Sequence, residues 1–237
     1  MRKAALLWLG LGFIGLGVAG LASPAAARAP VVVELFTSQG CSSCVGSDQV
    51  IADLADKPHV LALTFGVDYW DYLGWRDTFA KPEFADRQRA YMGQFALREV
   101  YTPQLVVDGR LQAAALPADK AEALVREAAR APHDPPDITI AKTGRVAVGS
   151  GRPPRGGAEV WLVRYDPHEQ TVTVRSGENR GQTVVEHNVV RQLTRLGSWA
   201  GRSKTYRAPA AETEGLQTVV IVQAVHGGRI LAAKRGG

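Results

Sequence analysis

Apolar positions in the first half of the chain fall into two kinds of block. Val31 to Phe36 is a short run rich in β-branched residues, broken only by Glu34, which is the pattern of a buried central strand. The turn-prone Thr37-Ser38-Gln39-Gly40 follows, then Cys41-Ser42-Ser43-Cys44, and then Val50, Ile51, Leu54 and Ala55 at helical spacing until Pro58 stops the pattern. The spacing therefore puts the cysteines where a loop enters a helix. His59 to Val67 reads as a second buried strand, and Phe84, Gln88, Tyr91 and Phe95 mark one face of a second helix. Gln104 to Val107 and Leu111 to Ala114 flank Asp108-Gly109, a dipeptide that favours a tight hairpin. Pro117 to Ala131 is an alanine-rich helix with Leu124 and Val125 inward. The predicted order is β-α-β-α-β-β-α.

Beyond Ala131-Pro132-His133-Asp134-Pro135-Pro136 the pattern changes. Proline stops a helix and favours extended backbone, so this stretch reads as a domain boundary. Asp137 to Ala141, Arg145 to Val148, Ala158 to Tyr165, Thr171 to Arg175, Thr218 to Val225 and Ile230 to Lys234 are short, β-branched and alternating, with Gly, Pro and Asn between them. That is the signature of a mostly antiparallel β-sandwich. His187 to Leu196 suits either a helix or a strand, and Val184, Val185, Val189 and Val190 favour the strand. Charge changes sign at the same boundary: residues 28–135 carry 11 bases and 15 acids, residues 136–237 carry 15 bases and 8 acids. The bases are scattered and accompany no nucleic-acid motif, so the formal charge of +5 does not point to nucleic acid.

The N-terminus narrows the setting. Arg2 and Lys3, an uncharged run from Ala4 to Ala22, and small residues before a cut after Ala27 form a secretory leader over residues 1–27. An uncleaved anchor is the competing reading, and only then would a membrane be a partner. Either way the folded part is expected in the periplasm or outside the cell, where a disulfide persists.

Two cysteines in 237 residues exclude a disulfide-dense scaffold and a four-cysteine zinc site. They leave one disulfide or one redox pair. A helix start stabilises a thiolate, so Cys41 is the candidate nucleophile and Cys44 the thiol that resolves a mixed disulfide. A structural disulfide and a Cu(I) site on the two thiolates are the alternatives. Glu34, an acid inside an apolar strand, is either a buried base for Cys44 or a salt-bridged structural glutamate. Asp68 to Asp77 holds the densest aromatic patch; Trp70, Tyr72 and Trp75 form either a docking surface or a loop tucked over the core.

Cys41-Ser-Ser-Cys44 together with Thr102-Pro103 resembles the thioredoxin superfamily, in which a Cys-x-x-Cys pair stands at the first helix and a cis-proline stands before the third strand. More narrowly, Glu34 to Cys44, Val67-Asp-Tyr-Trp-Asp-Tyr-Leu-Gly-Trp75, Tyr101-Thr-Pro-Gln104, Gly177-Glu-Asn-Arg-Gly181 and His187-Asn-Val-Val190 are similar to a family of secreted bacterial thioredoxin-like proteins of unknown function, DUF1223. Val45-Gly46 and Gly66 depart from that family's pattern, where proline and histidine often stand. The resemblance implies an α/β thioredoxin-like domain over residues 28–135, followed by a β-sandwich domain over residues 136–237. It also implies a cis bond before Pro103, with the Thr102 backbone free to pair with an extended substrate. The expected activity is thiol-disulfide exchange at a Cys41–Cys44 disulfide, without a cofactor, on envelope protein thiols or disulfides and with a redox partner protein.

Overall fold

The structure, a computed structural model, describes residues 29–114, 117–132 and 134–236. The leader expected over residues 1–27 lies outside the described residues. In chain order the elements are β1 (Val31–Thr37), α1 (Ser47–Ala55), β2 (Val60–Gly66), α2 (Pro82–Gln94), β3 (Gln104–Val107), β4 (Leu111–Ala114), α3 (Ala118–Ala129), β5 (Ile138–Ile140), β6 (Arg145–Val148), β7 (Ala158–Asp166), β8 (Gln170–Thr173), β9 (Thr183–Glu186), β10 (Val189–Trp199), β11 (Lys204–Arg207), β12 (Gln217–Ala224) and β13 (Ile230–Arg235).

These elements do not assemble into the expected thioredoxin-like domain followed by a separate sandwich. The molecule is mostly β, and its main sheet is a single mixed one of eight strands in the order β13-β12-β7-β10-β2-β1-β3-β4. The two halves meet inside that sheet, where β10 runs parallel to β2 with Val189 opposite Thr64. The Thr64 amide donates to the Asn188 carbonyl at 3.1 Å, the Thr64 hydroxyl to the His187 carbonyl at 2.7 Å, and the Asn188 side-chain amide to the Ala62 carbonyl at 2.9 Å.

The composition of the late strands explains the joint. On β12, Val219 and Ile221 face one way and Val220 and Val222 the other, and all four are fully buried. A strand apolar on both sides needs cover on both sides. On one face of the sheet, β12, β13, β7 and β10 share a core with β1, β2, β3 and Phe84, Ala85 and Tyr91 of α2. On the other face, β5, β6 and β11 form a small three-stranded sheet that packs over β7, β12 and β13. That same face carries α1 and α3 over β1, β2 and β3. Among the described residues, β8 and β9 pair only with each other.

The β3–β4 turn ties the halves a second time. Asp108 (φ +50°) and Gly109 (φ +60°) both adopt left-handed backbone, as the tight hairpin requires. The Asp108 carbonyl accepts from the Ile230 amide at 2.8 Å. A Cβ at Gly109 would lie 2.5 Å from the Gly228 carbonyl oxygen, so no other residue fits there without moving backbone.

Candidate functional site

The cysteines occupy a turn of their own. The Cys41 amide donates to the Ser38 carbonyl at 3.1 Å, and residues Ser42–Cys44 form one turn of 3-10 helix. Gly46 then takes φ +91°, a conformation that interrupts the helical path, and α1 starts only at Ser47. The expected placement of the pair at the start of α1 is corrected accordingly. Because a helix dipole acts only over its first turn, the helix-start argument for a stabilised Cys41 thiolate loses its basis. Cys41 and Cys44 are joined in a disulfide with their Cα atoms 5.3 Å apart, and both are buried.

The second expected segment comes to the sulfurs. The Thr102–Pro103 bond is cis. The Thr102 hydroxyl donates to Cys41 Sγ at 3.3 Å, and Trp70 Nε1 donates to the Thr102 hydroxyl oxygen at 2.7 Å. Ser43 Oγ lies 3.3 Å from Cys41 Sγ and donates to the Thr102 carbonyl at 3.4 Å. Of the aromatic patch, Trp70 therefore touches the sulfur's own partner. Trp75 instead donates from Nε1 to Gln39 Oε1 at 3.1 Å, and Tyr72 stands 80% exposed. The patch is thus part anchor and part open surface.

Glu34 is not at the sulfurs. Strand alternation turns it to the α2 face of β1, whereas α1, the helix after the cysteines, packs on the opposite face with Val33 and Leu35. Its carboxylate is held by Arg87, with Nε donating to Oε1 at 2.6 Å and Nη2 to Oε2 at 3.2 Å, and by the Tyr91 hydroxyl. Both oxygens are committed, and the salt-bridged reading fits this geometry while the base role for Cys44 does not.

A different set of acids lies behind the cysteine turn. The Gln39 amide donates to Asp77 Oδ2 at 2.8 Å, and Gln39 Nε2 donates to Glu186 Oε2 at 2.8 Å. Asp48 sits in the first turn of α1, four residues past Cys44, and α1 packs against β9, which ends at Glu186. All three carboxyls are buried, and among the described residues Asp48 Oδ1 and Glu186 Oε1 have no hydrogen-bond partner. Burial pushes Asp48 up to about 7, with repulsion from Asp77 adding to it. Burial and the neighbouring charges of Asp77 and Asp48 hold Glu186 well above the usual carboxylate range, and Asp77 is raised by burial against three backbone N–H donors.

The second half of the chain also closes on the turn. Asn179 Nδ2 donates to the Gln39 carbonyl at 2.9 Å and to the Cys41 carbonyl at 3.0 Å. Ser42 Oγ donates to Glu178 Oε2 at 2.9 Å, and Ser176 Oγ donates to the Gly74 carbonyl at 2.6 Å. Sequence reasoning missed Gln39, Asp48, Asp77, Asn179 and Glu186. The glycine-bounded Gly177–Gly181 segment was the one local signal, because a tight loop with a central Asn invites side-chain contacts to backbone. Among the described residues, no group of three or more His, Cys, Asp or Glu is placed to hold a metal ion, and no helix is long and apolar enough to cross a membrane.

Comparison with known proteins supplies a family and a fold. Residues 32–223 match the model of a family described as "Protein of unknown function (DUF1223)". Among solved structures, the chain is similar to a crystal structure of a protein from Agrobacterium tumefaciens at 30% identity and a TM-score of 0.67, covering 89% of this chain and 95% of that one. It is also similar to HBP35 of Porphyromonas gingivalis at 12% identity and a TM-score of 0.59, covering 90% of this chain and 76% of that one; at this identity the likeness concerns the fold alone. No curated protein matches the sequence.

Proposed function

The chain belongs to the DUF1223 family, whose description assigns no activity, and from its own site we propose that it is a thiol-disulfide oxidoreductase working through Cys41 and Cys44 outside the cytoplasm. One observation carries the reading: the disulfide is short in sequence and sits against Thr102, whose hydroxyl donates to Cys41 Sγ at 3.3 Å. A disulfide that only closed a loop would need no polar group aimed at one of its two sulfurs. In the reduced form the same hydroxyl stabilises a Cys41 thiolate, which favours Cys41 as the attacking atom. The Cys41 thiolate attacks a partner disulfide, forming a mixed disulfide and releasing one partner thiolate. Cys44 then loses its proton and displaces the second partner sulfur, so the partner is reduced and Cys41–Cys44 oxidised. Protein thiols or disulfides in the envelope are the proposed substrates, and Tyr72, exposed two residues past Trp70, is a candidate contact for them. The leader over residues 1–27 supports export. The test is reduction of insulin by the intact protein with dithiothreitol as the electron source. Turnover in the parent that is lost in Cys41→Ser supports the reading, and an unchanged insulin rate on adding the parent protein rejects it.

A further inference from the structure

The two sulfurs of the Cys41–Cys44 disulfide have unequal surroundings. Cys41 Sγ has two hydroxyls beside it, Thr102 Oγ1 and Ser43 Oγ, each at 3.3 Å. Both of these sulfur contacts belong to Cys41, and among the described residues Cys44 Sγ has none. The Ser43 proton has two claimants, because the same hydroxyl lies 3.4 Å from the Thr102 carbonyl. The Thr102 proton is directed more strictly, and Trp70 is the reason.

Elementary chemistry fixes each donor in the series Trp70, Thr102, Cys41. An indole Nε1–H only donates, so the 2.7 Å contact has Thr102 Oγ1 as its acceptor. A disulfide sulfur carries no proton, so the 3.3 Å contact to Cys41 Sγ has Thr102 as its donor. A threonine hydroxyl has a single proton. Trp70 occupies one side of the oxygen, keeps the proton off that side and leaves it aimed at sulfur. Donation into a hydroxyl also polarises it, which strengthens the bond it makes in turn. The indole itself is held in place. Trp70 packs half-buried against the core on the α2 face, and a Cβ at Gly40, the residue before Cys41, would lie 3.7 Å from the Trp70 β-carbon. Its loop is braced by the Leu73 amide on the Trp70 carbonyl at 3.0 Å, by the Asp77 amide on Asp71 Oδ1 at 3.1 Å, and by Trp75 Nε1 on Gln39 Oε1 at 3.1 Å.

We propose that Trp70 is a positioning residue for exchange at Cys41: its N–H directs the Thr102 proton onto Sγ and so stabilises the thiolate that the reduced pair presents at that sulfur. On reduction Sγ gains negative charge and becomes a stronger acceptor, so an O–H already aimed at it strengthens where the charge develops. Cys44 lacks such a donor, and the reduced pair is therefore polarised, with the thiolate on Cys41 and the thiol on Cys44. The inference deepens the exchange reading given above and rests on it for its purpose, but the thiolate is titrated without any substrate.

The experiment uses the full chain carrying Cys44→Ser, which leaves Cys41 as its single thiol, and reads the Cys41 thiolate by ultraviolet absorbance from about pH 4 to about pH 9. In that background Thr102→Val removes the hydroxyl and is predicted to raise the midpoint by about one unit, as loss of a hydrogen bond to a charged group implies. Trp70→Phe keeps an aromatic ring without the N–H and raises it by about half a unit. The two changes together raise it no further than Thr102→Val alone, because Trp70 acts through that hydroxyl. Thr102→Ser, which retains a hydroxyl, keeps the midpoint near that of the background. Should Trp70→Phe disturb folding, the benzothiophene analogue of tryptophan incorporated at position 70 keeps the bicyclic shape without the N–H and is predicted to give the same shift. A midpoint unmoved by loss of the N–H, or Trp70→Phe and Thr102→Val shifts that add in the double variant, overturns the role. Failure of insulin turnover with this titration intact would instead reject the oxidoreductase reading alone.

Discussion

Asp48 and Glu34 are both buried acids, and they are treated in opposite ways. Glu34 meets a guanidinium through two hydrogen bonds and a tyrosine hydroxyl. Breaking such a buried pair by removing Arg87 alone leaves an uncompensated charge, at a cost of about 3–5 kcal/mol. Asp48 has no such partner, and burial lifts it to about 7 from 3.8. A carboxyl raised in the folded state binds its proton more tightly there than in the unfolded chain. Stability is therefore highest below the unfolded value and falls as pH rises from about 4 to about 7. Taken alone, that shift corresponds to an upper limit of roughly 4 kcal/mol. Asp48→Asn is predicted to flatten this decline, so that at pH 8 the variant is more stable than the parent by about 2 kcal/mol, in the direction that removal of a buried unpaired charge dictates. Urea unfolding at pH 5 and pH 8 checks it; equal pH dependence in both proteins would show that Asp48 is not a buried acid.

Local patterns identify many of the elements, and they do so where neighbours in sequence carry the signal. The Asp108-Gly109 turn is legible because two left-handed residues in a row select Asp-Gly almost by themselves. β7 is legible because Ala158, Val160 and Leu162 alternate with Trp161, Val163 and Tyr165 between two different cores. The delayed start of α1 was open to a reader who weighed Gly46, since a glycine two residues past the cysteines is a natural break. β11 gives little local signal, as Lys204, Thr205 and Arg207 are exposed and Tyr206 alone of the strand is buried. Gly109→Ala is predicted to cost more than 2 kcal/mol, because the new methyl meets the Gly228 carbonyl as well as left-handed backbone strain. Thermal unfolding of the variant measures it, and a midpoint within a degree of the parent would contradict the contact between the β3–β4 turn and the start of β13.

At the scale of the whole molecule the sequence was silent on what matters most. The pairing of β10 with β2 joins residues 125 positions apart at Val189 and Thr64, and nothing local to either announces the other. The grouping of buried acids is equally non-local, since Asp48 looks like an ordinary first-turn acid until β9 packs against α1 and brings in Glu186. The proline-rich stretch at 131–136 marks a change in pattern, while the core on the α2 face runs straight across it from Val32 to Ala233. Residues 29–135 made alone would leave β2 without β10 on one side and α2 without Val163, Val190 and Ile221. That fragment is predicted not to unfold cooperatively, whereas the full chain melts in a single transition; a fragment with its own sharp transition would contradict the shared core. The Cys41–Cys44 turn depends on this union, because Asn179 and Glu186 reach it from the second half. The account's central claim, exchange at Cys41, is tested most directly by a Cys44→Ser variant, whose mixed disulfide cannot be resolved. Expressed as the full 237-residue chain and examined by non-reducing electrophoresis and mass spectrometry, it is predicted to hold envelope proteins through Cys41 in adducts that dithiothreitol releases and that Cys41→Ser/Cys44→Ser lacks. A Cys44→Ser protein found only as free thiol would contradict the claim.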